Sequence, residues 1–222
     1  MDRKLHRRQN DISATSNNSA KSSNRASRIE ICGGIASGKT TLAALLQRSG
    51  YNAVFENFTL NPFIEKFYSD PVFYSFETEL SFLLQHYSQI KTEARQTKEF
   101  ICDYSLLLDS SYAKVTLNPV HLKIFHGVHE AIISEIGYPT FVIYLKCAST
   151  TQLYRIGQRH RGMESGISIQ YLDQLNYALE HRVRQERDVS KTLEIDSERI
   201  NFAEDSEDRF ETVKLIRETF SI

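Results

Sequence analysis

No apolar run in the 222 residues approaches the roughly 20 residues needed to cross a bilayer, so no spanning helix is expected. No apolar segment follows the basic N-terminus, and no secretory signal is read there. Neither sign of charge is in excess. Lys and Arg number 27 against 28 Asp and Glu, a net charge of −1. That balance gives no global attraction to nucleic acid or to an anionic membrane, and neither is expected as a partner. Cysteine is sparse: Cys32, Cys102 and Cys147 are odd in number and lack the paired spacing of a metal or redox motif. Each falls in an expected buried strand, where cysteine acts as a small hydrophobe. A reducing, cytoplasmic setting without a structural metal follows. His126 and His129 lie three apart on an expected helix, but no third ligand stands near them. There is no internal repeat, and the length suits one α/β domain with a substantial core.

Against these absences one motif stands out. Gly33 to Thr40 read Gly-Gly-Ile-Ala-Ser-Gly-Lys-Thr, which is G-x-x-x-x-G-K-[ST]. An apolar strand (Ile29, Ile31, Cys32) leads in, and a helix-like run from Thr41 to Leu46 leads out. Gly33, Gly34, Ile35, Ala36, Ser37 and Gly38 would wrap backbone N–H groups around phosphate oxygens, at the positive end of the helix that carries Thr41. Lys39 would reach the β- and γ-phosphates of ATP, and the Thr40 hydroxyl would ligate Mg²⁺. The dinucleotide fingerprint G-x-G-x-x-G does not fit, because Ile35 stands where its second glycine belongs.

The chain divides into two regions. Residues 1–27 are rich in Ser, Asn, Lys and Arg and are expected to be a disordered tail. An organellar transit peptide is the lesser reading. Residues 28–222 alternate strand and helix as one domain. Strands are expected at Ile29–Cys32, Asn52–Glu56, Phe100–Asp103, Thr140–Lys146 and Thr192–Ile195. Helices are expected at Tyr74–Arg95, Pro119–Glu135, Thr150–Arg159, Ile169–Arg187 and Asp205–Phe220. This alternation predicts a five-stranded parallel sheet with helices on both faces, the three-layer P-loop architecture. The long stretch between the second and third strands is expected to build a second site or an interface.

Ligands of such a sheet bind beyond the carboxyl ends of the strands. Glu56 ends the second strand and Asp103 the third. Either acid alone would as readily cap a turn; two beside a phosphate loop point to a general base and a Mg²⁺ ligand. Arg155 and Arg159 are four apart on a helix face, and Arg161 follows before Gly162. Arginines there can close over a triphosphate, so 155–167 is read as a lid.

In combination these motifs resemble the deoxynucleoside kinase family, from Ile29 almost to the C-terminus. The resemblance is carried by the phosphate loop, Glu56, the run Asn61-Pro-Phe-Ile-Glu-Lys-Phe-Tyr68, a long aromatic helix, and the arginine segment with Gly166-Ile-Ser168 and Tyr171-Leu172. It implies ATP-dependent phosphorylation of a deoxyribonucleoside 5′-hydroxyl, with Mg²⁺, and a homodimer. It further implies that Glu56 is the base and that Tyr68 and Glu164 hold the sugar 3′-hydroxyl. Asp109 would lie near the nucleobase, and the 196–202 loop near the adenine of ATP. A nucleotide-binding protein with lost or altered transfer activity, or a kinase of another small molecule, is the alternative.

The chain departs from the family pattern at three places. Asp103-Tyr104-Ser105 lacks an arginine at its centre. Glu79 stands where a glutamine usually faces the base, and His86 stands where an arginine follows seven residues later. An ionised Glu79 only accepts hydrogen bonds. It would match the two adjacent donors of guanine, with His86 donating to the carbonyl oxygen, so deoxyguanosine is expected first and purines ahead of pyrimidines. A protonated Glu79 would act like glutamine and remove that preference.

Overall fold

The computed structural model describes residues 25–159 and 161–221. Residues 1–24, most of the expected tail, lie outside them. Five strands form one sheet: β1 (Ser27–Gly33), β2 (Ala53–Val54), β3 (Glu99–Cys102), β4 (Phe141–Lys146) and β5 (Lys191–Asp196). Their order across the sheet is β2-β3-β1-β4-β5, and every pair is parallel. Parallel neighbours require crossovers, and the helices between the strands supply them. These are α1 (Lys39–Arg48), α2 (Ile64–Ser69), α3 (Pro71–Glu93), α4 (Leu106–Thr116), α5 (Pro119–Ile136), α6 (Ser149–Gln158), α7 (Ile169–Glu186) and α8 (Ser206–Phe220).

The strand β1 begins at Ser27, inside the expected tail, because Ser27 pairs with Glu99 of β3. The strand β2 is two residues, shorter than expected. The helix α3 starts three residues early, at Pro71. Asp70 caps it by accepting from the Phe73 N–H at 3.2 Å, and proline suits a first helical turn. Helix α4 was not expected at all. Leu106 to Ser111 and Ala113 are all buried, so it shows no polar-against-apolar stripe by which a helix is read.

Alternation along β1 divides the core. Ile29 and Ile31 face α1 and α8 through Leu42, Leu46, Ile216 and Phe220. On the opposite side Phe100 and Cys102 of β3 meet Leu83 and Ile90 of α3 and Phe125 and Ile132 of α5. Glu30 of β1 also faces this way and is fully buried. Its Oε1 accepts from Arg28 Nε at 2.7 Å, and its Oε2 accepts from the Leu106 N–H at 3.0 Å. Arg28 also donates to the Gly137 carbonyl at 2.8 Å. Buried His129 donates from Nε2 to the Leu106 carbonyl at 3.2 Å. The first residue of α4 is therefore fastened through both backbone groups, to the central strand and to α5. That fixes where α4 directs its other residues. Among the described residues, no helix is long and apolar enough to cross a membrane.

Replacing Glu30 with alanine strands the Arg28 guanidinium in the core and frees the start of α4. Urea unfolding of Glu30→Ala is expected to show a loss of about 3–5 kcal/mol, the usual cost of breaking a buried pair from one side. A loss below about 1 kcal/mol, as for an exposed pair, would contradict this role.

Candidate active site

The loop between β1 and α1 is shaped by its glycines. Gly38 has φ of 103°, a left-handed conformation that a side chain would strain. It lets α1 begin directly at Lys39, with no side-chain cap and no acid in its first turn. The leading N–H groups of that helix are thus available to an anion. Ser37 Oγ is buried without a hydrogen-bond partner. Lys39 donates from Nζ to the carbonyls of Gly33 and Gly34, at 2.9 and 3.0 Å, which holds the ammonium across the loop. Burial lowers its pKa, with Glu56 the largest opposing influence. An uncapped helix start, an orphaned hydroxyl and a desolvated cation together fit a polyphosphate. Thr41 lies on the outer side of the same helix start, beside Ala203 and Arg209.

From this loop a cavity of about 450 Å³ runs between α3, α4 and the segment after α6. Ile35 to Thr40 line one end. Glu56, Tyr68, Glu79, His86, Asp109, Arg159, Arg161 and Glu164 line the rest. The adjacent ends of β2 and β3 bring the two strand-end acids together: the Glu56 N–H donates to Asp103 Oδ1 at 2.6 Å. The Asp103 carboxyl also faces the Thr40 side chain, and burial pushes its pKa up. A hard oxygen pair of this kind suits Mg²⁺.

His86 sits between two carboxylates. Its Nδ1 lies 2.8 Å from Asp109 Oδ2 and its Nε2 3.1 Å from Glu56 Oε1. Burial would depress the histidine, but Asp109 and Glu56 hold its pKa up, at about 10. Burial would raise Glu56, but His86, then Lys39 and Arg161, bring its pKa below the ordinary value. The expected hydrogen bond from His86 to a nucleobase is therefore corrected: both ring nitrogens are taken by carboxylates.

Glu79 also departs from the expected ionised acceptor, in the direction that its burial favours. It is 4% exposed, and burial pushes its pKa up to about 8, against a smaller opposing effect of the Thr116 hydroxyl. Thr116 Oγ1 lies 3.0 Å from Glu79 Oε1 and 2.9 Å from the Tyr112 carbonyl. One hydroxyl has one hydrogen. When it serves the carbonyl, the contact to Glu79 requires the proton on the carboxyl.

The three arginines part company. Arg159 and Arg161 reach the cavity. Arg155 does not. Its guanidinium donates to the Ala36 carbonyl at 3.3 Å and to the Ser197 carbonyl at 2.7 Å. It braces the phosphate loop against the turn after β5, so its expected place over a triphosphate is corrected. Arg161 pairs with Glu164 at 3.3 Å and lies 4.6 Å from the centre of the Phe58 ring. Glu164 keeps Oε2 buried and unpartnered. Of the expected lid, residue 160 is outside the described residues, and Gly162–Gly166 form a short 3₁₀ turn. In the turn after β5, Phe202 is buried in the core beside Gly38.

Phe82, Tyr112 and Thr116 are site residues that the sequence reading missed. Helical spacing could have found them. Phe82 lies between Glu79 and His86 on one face of α3, and Tyr112 and Thr116 continue the Asp109 face of α4.

A phosphate loop at one end of a deep cavity, with a carboxylate beside its lysine, defines a P-loop phosphotransferase. A sequence profile described as deoxynucleoside kinase matches residues 29–221. A deoxyguanosine kinase of Bacillus subtilis is 32% identical over 177 residues, covering 78% of this chain and 86% of the relative. A deoxyadenosine kinase of Dictyostelium discoideum is 28% identical over 198 residues, covering 86% and 79%. Among solved structures, deoxyadenosine kinase from M. mycoides with bound dCTP superposes with a TM-score of 0.74 at 24% identity, covering 88% of this chain and 100% of that one. The chain belongs to the deoxynucleoside kinase family.

The neutral Glu79 has a measurable consequence. Unfolded, the carboxyl ionises near its ordinary value of 4.5; folded, near 8. Between those values the unfolded state sheds a proton that the folded state keeps, so Glu79 lowers stability as pH rises. Glu79→Gln has no such proton. Its melting temperature is expected to gain on wild type from pH 5 to pH 8. A difference that is flat or shrinks over that range refutes the assignment.

Proposed function

We propose that this enzyme transfers the γ-phosphoryl group of ATP to the 5′-hydroxyl of a purine deoxyribonucleoside. The observation that carries this reading is one continuous cavity that begins at the phosphate loop and ends at Glu79, with Glu56 beside Lys39. His86 and Glu79 are seven residues apart on α3, roughly 10 Å of helix. That is about the length of a nucleoside. Glu56 near the loop then meets the 5′-hydroxyl while Glu79 meets the base.

In the reaction, Glu56 takes the proton of the 5′-hydroxyl as its oxygen bonds to the γ-phosphorus. The bond from that phosphorus to the β–γ bridging oxygen breaks, and the electron pair leaves with ADP. Lys39, Arg159 and Arg161 oppose the charge on the transferring group. Thr40 and Asp103 would hold Mg²⁺, which would supply further positive charge against the phosphates. The free Glu164 Oε2 accepts from the sugar 3′-hydroxyl, with Tyr68 beside it. Tyr112 and Tyr171 supply aromatic walls for the base.

A neutral Glu79 offers one donor and one acceptor, as glutamine does, and both adenine and guanine present a complementary pair. The preference for purines is supported by the named specificities of the relatives rather than by Glu79. Active transfer is favoured over a binding-only role because Lys39, Glu56, Asp103 and both cavity arginines are present. We place the enzyme in the cytoplasm as one catalytic domain, residues 28–222, following a basic tail. Its three cysteines are free and buried, which supports a reducing compartment. A homodimer is supported by exposed Leu84 on α3 and by Val120 and Ile124 on α5.

Glu56→Gln keeps the shape and removes the proton acceptor. Its turnover with deoxyguanosine or deoxyadenosine is expected to fall about 10²–10⁴-fold while ATP still binds. Lys39→Ala should fall by about 10²–10³-fold. Wild-type turnover in either variant refutes the role of that residue, and preferred use of thymidine refutes the purine assignment. Light scattering at micromolar concentration should give twice the mass of the chain, and a monomer would rule out the dimer.

A further inference from the structure

We propose that His86 is a positioning residue for phosphoryl transfer: its doubly protonated ring, braced from behind by Asp109 and stacked on Tyr104, holds the Glu56 carboxylate towards the substrate hydroxyl. This rests on the reading of Glu56 as the general base.

The geometry supplies the protonation state. Ionised carboxylates accept and do not donate, so with Asp109 and Glu56 both ionised the two ring nitrogens carry hydrogen to serve them together, at 2.8 and 3.1 Å. The ring is then a cation, 2% exposed, between two anions. Tyr104 lies parallel to it, with ring centres 4.0 Å apart and planes 9° apart. A π-face against a buried cation is attractive. The Tyr104 hydroxyl is buried without a partner, so its ring is what the site uses. Two carboxylates in one cavity repel, and without a cation one of them would take up a proton. His86 removes that conflict. It also occupies Oε1 of Glu56 and leaves Oε2 as the oxygen for a hydroxyl. The step assisted is the one written above: the hydroxyl proton passes to Glu56 as oxygen bonds to the γ-phosphorus and ADP departs.

The test is steady-state kinetics of His86→Gln, Glu56→Gln and the double variant, with deoxyguanosine and with deoxyadenosine. In His86→Gln, kcat should fall roughly 10- to 100-fold, the cost of a misplaced reacting group. The factor should be the same for both nucleosides, with little change in either KM. The double variant should be no slower than Glu56→Gln, because His86 acts only through Glu56. Wild-type kcat in His86→Gln beside an impaired Glu56→Gln overturns the proposal and leaves the general base standing. So does a loss confined to KM that differs between the two bases, since that is base recognition. Normal turnover by Glu56→Gln removes the general-base reading itself. Should His86→Gln fail to fold, ¹⁵N shifts of the imidazole in the wild-type enzyme decide. Two protonated nitrogens at pH 8 are expected, and a singly protonated ring overturns the proposal.

Discussion

Buried carboxylates dominate the physics of this site, and each is neutralised differently. Removing a carboxylate from water is costly unless a cation, a set of donors or a proton compensates. Glu30 is met by Arg28 and a backbone N–H. Glu56 and Asp109 share His86. Asp103 accepts from the Glu56 backbone and faces Thr40, the pair that would share a divalent cation. Among the described residues no cation acts on Glu79, and burial pushes its pKa up to about 8. The fold can place acids densely around one cavity because each meets its own combination of donors, cations or a proton, with His86 shared by Glu56 and Asp109, Lys39 by Glu56 and Asp103, and Arg161 by Glu56 and Glu164.

That arrangement depends on helix α4. Its first residue is fastened to the central strand by Glu30 and to α5 by His129. From there Asp109, Tyr112 and Thr116 descend one face and meet the Glu79–Phe82–His86 face of α3. A buried polar network of this kind is costly to leave half-made, so it specifies one relative placement of the two helices. The structural anchor and the reacting groups are therefore mechanically continuous, although Glu30 itself touches nothing in the cavity.

Tyr104 shows how a change of residue type redistributes a task. The family pattern suggests an arginine at this position. Here an aromatic ring packs flat on His86, and the hydrogen-bonded partner of the Glu56 carboxyl comes from α3 instead of the end of β3. Arg155 illustrates the converse. Its spacing from Arg159 suggests a shared function, yet the turn after β5 offers carbonyl and hydroxyl acceptors that capture its guanidinium.

The phosphate loop was legible in the sequence because it is contiguous: a strand, a glycine-shaped turn and a helix start interact only with their neighbours. The alternation of strand and helix likewise set the parallel three-layer fold, since parallel strands need crossovers. The strand-end acids Glu56 and Asp103 were visible for the same reason. The all-buried helix α4 was not, because burial on every side erases the periodic contrast that marks a helix. Nor were the ionisation of Glu79, the double engagement of His86 and the capture of Arg155. Each depends on groups 23 to 119 positions apart in sequence, as His86 and Asp109 or Arg155 and Ala36 are. The sequence by itself determined where the glycine-shaped loop and its lysine stand. Tertiary structure decided which side chains are charged there, because charge inside a protein is set by desolvation and by neighbours that only folding brings together.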